Sequence, residues 1–452
     1  VSRKDHLYHP SKENKNATII PIPVSILKIS FMQRSFFVMI SMYLLFSACM
    51  KDSVTEQFTF YRPVYRTRDE VKEGIKSDSH RAIEQPGKIV VKDHYLFLNE
   101  VDKGVHIIDI ADPDKPDNIA FIAIPGCVDL AIKGTYLYAD CYTDLVTIDI
   151  SQPLNITVRQ FLNGVFPHRY YQGFSADTSK VIKEWIRVDT SVNKRFSGTL
   201  THLLNKDSRV FLSSAGMAGS QAAGAFVSSA GIGIAGSLAR FALLDNRMYT
   251  VSHNDLKVFN LTQPASPSFV SSVSLQQGNI ETIFPYKNKL FIGSQSGMFI
   301  FNVSLPDNPQ KYSQFTHARS CDPVIADDKY AYVTLSGGSA CGGFSNQLDV
   351  IDIANLSSPV LVKSFNLTSP KGLSKDGNLL LVCDGKSGLK ILDAAVASQI
   401  WLIKQVVGFE ANDVIALQGL AITVAKDGLY FIDYSNAGNA AVIGKIQIAQ
   451  NK

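Results

Sequence analysis

The chain has 452 residues, 46% hydrophobic and 19% charged, a globular composition that excludes disordered, collagen-like and small disulfide-dense chains. Its net charge of +4 is local. Residues 1–49 hold six Lys/Arg against two Asp/Glu, so charge balances from Met50 onward, and no basic field remains to attract nucleic acid.

Residues 1–31 are polar, basic and unpatterned and begin with Val1. They read either as an upstream extension ahead of a start at Met32 or as a long basic leader region. Residues 32–48 follow as Met32-Gln33-Arg34 and an uncharged run from Ser35 to Ala48. A short positive region, an apolar run too short to span a bilayer and a small-residue end make a secretory signal. The segment Phe46-Ser47-Ala48-Cys49 resembles a bacterial lipoprotein signal. That resemblance implies lipidation of Cys49 and a mature protein held on a membrane through its N-terminal lipid without spanning it. Met50 in place of the Asp that retains such proteins at the inner membrane implies an outer-membrane address, on its periplasmic face or at the cell surface. The Lys51-Asp52 pair resembles the charged tether of surface-exported lipoproteins. Residues 49–86 read as anchor and tether, with Thr67-Arg68-Asp69-Glu70 as a capping box opening a helix that runs to about Ile75.

From residue 87 to 450 one motif recurs. KIVVKD, YLFLNE, GVHIIDI and NIAFIAI are four alternating apolar runs divided by turn residues, and each predicts a strand. The order returns in VDLAIKG, YLYADC, LVTIDI and ITVRQFL, with further copies near Ala239, Asn279, Asp322, Pro370 and Asn412. An Asp or Asn ends each third run, at Asp109, Asp149, Asn260, Asn302, Asp352, Asp393 and Asp433. The intervals of 40, 111, 42, 50, 41 and 40 residues fit four strands per forty residues, the arithmetic of a propeller blade. The expected fold is all-β, a seven-bladed β-propeller of four-stranded blades. The anchors are read as structural, closing turns by accepting a backbone N–H; a residue recurring once per blade at a strand end does not call for a ring of metal ligands.

The phrase Val350-Ile351-Asp352-Ile353 and its spacing resemble the LVIVD repeat family. YRPVY (Tyr61–Tyr65), GKIVVKDHYLFLNE (Gly87–Glu100), VDLAIKGTYLYAD (Val128–Asp140) and CDPV (Cys321–Val324) resemble the lipoproteins of that family from Bacteroidetes. The resemblance implies a propeller in the cell envelope and no assigned chemistry.

An insertion at 166–237 accounts for the long interval. It begins charged around Lys183-Glu184-Trp185 and ends with nineteen Gly, Ala or Ser among the twenty-five residues from Ser213 to Ser237. This predicts a mobile loop over one face and a first candidate for a functional region. In an oxidising compartment the remaining cysteines suggest disulfides. Cys321 with Cys341, in a Gly/Ser loop, is one pair; Cys127 with Cys141, flanking a hairpin at Gly134, is another; Cys383 is left over. No C-x-x-C, H-E-x-x-H, G-x-S-x-G, P-loop or EF-hand is present, so neither metal, cofactor nor catalytic set is expected. The histidines are dispersed, and His106 alternates with apolar neighbours as core filler. The expected function is a non-enzymatic scaffold binding protein or glycan through one propeller face. The alternative is an enzyme or ligand sensor of the central channel, polysaccharide lyase- or hydrolase-like, and it predicts carboxylates, His or Arg converging at one axial mouth. A glycan site has only Trp185 and Trp401 as indole platforms.

Overall fold

The forty-residue units fold as antiparallel meanders because each apolar run is short, alternating or wholly apolar, and bounded by turn residues. The computed structural model describes residues 55–171, 174–193, 234–275, 279–316, 323–337 and 345–449. The expected signal segment 32–48, the expected lipidation site Cys49, Cys321, Cys341 and most of the Gly/Ala/Ser run lie outside the described residues. Of the described residues, those within 59–188 and 234–449 belong to one compact unit, which contains every blade; residues 55–58 and 189–193 belong to another.

Blade 1 consists of Pro86–Lys92, Tyr95–Glu100, Gly104–Asp109 and Asp117–Ala123. From first to fourth strand, blade 2 runs from Leu130–Lys133 to Thr157–Leu162 and blade 3 from Phe241–Leu244 to Ser268–Ser274. Blade 4 runs from Ile280–Tyr286 to Gln310–Thr316, and blade 5 from Val324–Ala326 to Val360–Asn366. Blade 6 runs from Leu373–Asp376 to Trp401–Val406, and blade 7 from Ala411–Leu417 to Ala441–Gln447. Strand order within each blade follows the sequence, and the blades close into a seven-bladed propeller. Second and third strands such as Tyr136–Cys141 and Asp144–Asp149 are buried along nearly their whole length, as strands covered on both faces must be.

Two local devices recur in every blade. Each anchor side chain accepts the N–H two residues on: Asp109 from Ala111, Asp149 from Ser151, Asn260 from Thr262, Asn302 from Ser304, Asp352 from Ala354, Asp393 from Ala395 and Asp433 from Ser435, all at 2.8–2.9 Å. Just beyond this turn, the outer strand carries a one-residue bulge opposite the third strand in all seven blades. A bulge sharpens local twist and turns side chains toward the next blade. The Oγ of Ser271 donates to Asp307 O and that of Ser313 to Leu356 O, both at 2.6 Å, each reaching the anchor turn of the following blade. At the equivalent place in blade 7 stands Gly444, where a Cβ would lie 2.2 Å from Pro113 O in the turn of blade 1. The ring therefore closes with the contact that joins its other blades, made tighter.

Closure is completed by chain ahead of blade 1. Ile83 is buried with Ile89 and Leu98 of blade 1 and Ile415, Val424 and Phe431 of blade 7. Its carbonyl accepts Ala449 N at 2.8 Å. Glu100 fixes the same segment by accepting Glu84 N at 3.0 Å and Gln85 N at 2.6 Å, and His106 Nε2 lies 3.1 Å from the same carboxylate. Burial pushes the Glu100 carboxyl up, but these hydrogen bonds outweigh it and hold its pKa below the usual value. Upstream, the capping box forms: Thr67 N donates to Glu70 Oε2 at 2.6 Å and Glu70 N to Thr67 Oγ1 at 3.3 Å. The helix is Arg68–Lys72, shorter than the run to Ile75 read from sequence, because Gly74 and Ile75 turn back onto Val71 and Lys72 carbonyls. Lys76–Ser79 then adds a fifth strand to the outer edge of blade 1. Thr55–Arg66 and Val181–Asn193 pair as a two-stranded sheet.

Candidate functional site

In a ring of four-stranded meanders, the connections from outer strand to next inner strand all open on one face, together with those from second to third strand. The insertion is such a connection, between blades 2 and 3. Inner strands begin at this face, so their first residues surround the axial mouth. The first hairpins close on Lys92↔Tyr95, Lys133↔Tyr136, Leu244↔Arg247, Tyr286↔Lys289, Asp376↔Leu379 and Leu417↔Leu420, with Asp327 facing Tyr330 in blade 5. Stepping back equally along each inner strand gives one equivalent position per blade: Lys88, Asp129, Arg240, Thr282, Pro323, Gly372 and Asp413. Two cations and two carboxylates thus stand on the adjacent blades 7, 1, 2 and 3.

The return leg of the insertion lies among them. Ile234 and Ala235 pair with Val91 and Val90, adding a strand to the inner edge of blade 1, and Gly236 N donates to Ile89 O at 2.9 Å. Ser237 is fully buried. Its N–H and hydroxyl both donate to Asp413 Oδ1, at 3.2 and 3.1 Å, and its Oγ accepts Leu373 N of blade 6 at 2.6 Å. Lys88 Nζ donates to Leu238 O, Ile283 N of blade 4 to Ala239 O at 3.0 Å, and Arg240 N to Asp129 Oδ2. Groups from blades 1, 2, 4, 6 and 7 therefore hold one short stretch of chain. A Cβ on Gly236 or on Gly372 would come within 2.3 Å of an Asp413 carboxylate oxygen, so the two glycines let backbone pack against this side chain.

The electrostatics follow from burial. Asp413 Oδ1 also accepts Val414 N at 2.8 Å, while Oδ2 is buried without a partner. Burial pushes the Asp413 carboxyl up to about 7, against the pull of Val414, Ser237 and Lys88. Burial likewise lowers the Lys88 ammonium; Asp129, 3.5 Å away, and Asp413 oppose this, while Arg240 adds to it. Behind the ring, Asp140 accepts Val128 N at 2.8 Å and Asp129 N at 2.9 Å, and its own carboxyl is raised by burial to about 6. The outgoing leg of the insertion is fastened on the same face. Arg169 Nη2 binds Asp102 Oδ1 at 2.5 Å and Gly126 O at 2.9 Å, with its guanidinium 5.0 Å from the centre of the Tyr142 ring.

Several expected residues sit elsewhere. The seven anchors close turns on the opposite face. Cys127 and Cys141 are free thiols, which corrects the expected disulfide. The ladder pairs Leu130 with Ala139, so carried outward it sets Cys127 against Tyr142, one position out of step. Cys127 Sγ instead lies 3.3 Å from Asn99 Nδ2, and Cys141 Sγ donates to Pro125 O at 3.3 Å. His106 is the buried partner of Glu100. Trp185 packs on Tyr171 and Phe174, with ring centroids 5.3 and 5.1 Å apart, and Trp401 is 57% exposed on the outer strand of blade 6. Residues 234–237, read from sequence as the end of a mobile loop, are instead bound into the axis. The ring of Lys88, Asp129, Arg240 and Asp413 is not among the residues that the sequence singles out. Its one signal was Asp129-Leu130 and Asp413-Val414 at equal distance from their hairpin turns.

The LVIVD repeat family matches residues 86–119, 127–159 and 319–367. A search of curated proteins finds no match. Among solved structures, the chain is similar to the periplasmic gluconolactonase PpgL of Pseudomonas aeruginosa, at 10% identity and a TM-score of 0.51 over 80% of this chain and 96% of that one. It is likewise similar to the computationally designed Ika8 protein, at 10% identity and a TM-score of 0.50 over 83% and 91%. These likenesses are of fold alone. The chain is a seven-bladed propeller protein carrying LVIVD repeats.

Proposed function

We propose that the protein is an envelope interaction scaffold, anchored through Cys49 to the outer membrane and engaging a protein or glycan with its insertion-bearing face. One observation carries this reading: the polar ring of the axial mouth is spent on holding the protein's own insertion by its main chain. A face built to fix both legs of a long segment is built to display it. The test is crosslinking on intact bacteria, with capture and mass spectrometry of the full chain and of a variant lacking 194–233, which keeps both fastened legs. A single membrane partner lost with the deletion supports the reading. No partner, or one indifferent to the deletion, overturns it.

A second reading is an enzyme of the axial mouth. The convergence of Lys88, Asp129, Arg240 and Asp413 favours it, as does a fold shared with a gluconolactonase. It requires residues 234–239 to leave, and it predicts lactone hydrolysis lost in Asp129→Asn; inactivity toward sugar lactones counts against it.

A further inference from the structure

We propose that the axial mouth is a binding site for a peptide segment that pairs as a short strand and continues through a Gly-Ser pair, occupied in this structure in cis by residues 234–239 and open to an equivalent segment of a partner. This gives the scaffold reading a ligand class and rests on it. The argument comes from what the ring residues touch. Asp413 takes a backbone N–H and a hydroxyl, Lys88 takes a carbonyl, the Ile283 amide takes a carbonyl, and the inner edge of blade 1 takes a two-residue strand followed by one more N–H. The main chain of the leg therefore supplies most of what is recognised, and strand addition is the way an exposed sheet edge recognises an extended peptide from any source.

Selectivity is set at two positions. Gly236 is confined by Asp413 Oδ2 at 2.3 Å and Ile89 Cγ1 at 3.0 Å from where a Cβ would stand. Ser237 is fully buried between Asp413 and Leu373. The ligand is thus a chain with a short strand, then glycine followed by a hydroxyl residue. Asp413 Oδ2, buried without a partner, marks hydrogen-bonding capacity that the resident segment leaves unused. A resident in cis taxes any partner by the fraction of time it is seated, so partner binding waits on release of the leg.

The test uses the full chain with Gly236→Val, which drives a branched side chain into Asp413 and unseats the leg. A fluorescein-labelled peptide with the sequence of residues 231–239 is titrated into this variant and into the wild type. Saturable binding by the variant, much weaker binding by the wild type, and a many-fold loss when the peptide serine is replaced by alanine are expected. A folded G236V that takes up no peptide overturns the proposal. Hydrogen exchange on the wild type decides independently of how the variant folds. The amides of Gly236 and Ser237 are expected to exchange on the order of a hundredfold faster than that of Val414. Equal rates would make the leg a permanent piece of the core and overturn the proposal. A cell without a partner sinks the scaffold reading; an empty peptide titration sinks the axial site.

Discussion

Asp413 binds its proton more tightly folded than unfolded, because burial lifts its carboxyl from 3.8 to about 7. Its contribution to stability is then complete below its unfolded pKa and lost as pH rises through about 7. Urea melts across this interval should show stability falling toward neutral pH, and Asp413→Asn should reduce that slope, most of all above pH 6 where Asp140, raised to about 6, no longer adds to it; an unchanged slope would remove Asp413 as a source. The same crowding makes Gly372→Ala costly, since the new methyl would meet Asp413 Oδ1 at 2.3 Å and Ser237 Oγ at 2.8 Å. A loss of about 1–3 kcal/mol is expected, the usual range for overpacking, read as a lowered denaturation midpoint. Burial also raises both the Cys127 and Cys141 thiols, so neither should react with iodoacetamide until the protein unfolds. Alkylation of either in the native state would contradict the buried, free placement.

At the scale of the element, the anchor turn repeats because one short side chain satisfies one N–H where the third strand ends. Removing that acceptor, as in Asp352→Ala, should cost about 1 kcal/mol, while Asp352→Asn, which keeps an oxygen as two natural anchors do, should cost little. Equal losses for the two substitutions would show that charge rather than the turn bond matters. This element was legible in sequence, since both the residue type and its forty-residue spacing stand in the chain. The outer-strand bulges were not. A bulge is a relation between two strands, and residues such as Tyr312 or Ile443 do not differ in type from ladder residues. The short helix was legible at its start, through Thr67 and Glu70, and not at its end, where the turn at Gly74 decided.

For the whole molecule, among the described residues no strand from one terminus completes a blade begun by the other, and the four strands of each blade's meander are contiguous in the chain. Closure falls to the packing of blade 1 on blade 7 and to the segment around Ile83, which touches both. Ile83→Ala should therefore cost about 2–5 kcal/mol, the range for a large buried residue cut to alanine. It should also raise exchange first in Pro86–Lys92 and Ala411–Leu417. Uniform loss across all seven blades would mean that the seam is no weaker than any other interface.

The sequence by itself determined the blade count, the strand order within each blade, the anchor turns and the place where the repeat is interrupted, because each is written in local pattern and period. Only the tertiary structure decided the axial site. Lys88, Asp129, Arg240 and Asp413 are separated by tens to hundreds of residues and meet because seven inner strands begin around one axis. The insertion that looked like a surface loop returns into that axis for the same reason: Ala235, Gly236 and Ser237 are small, so their backbone can reach the inner edge of blade 1 and the carboxylate of blade 7 together.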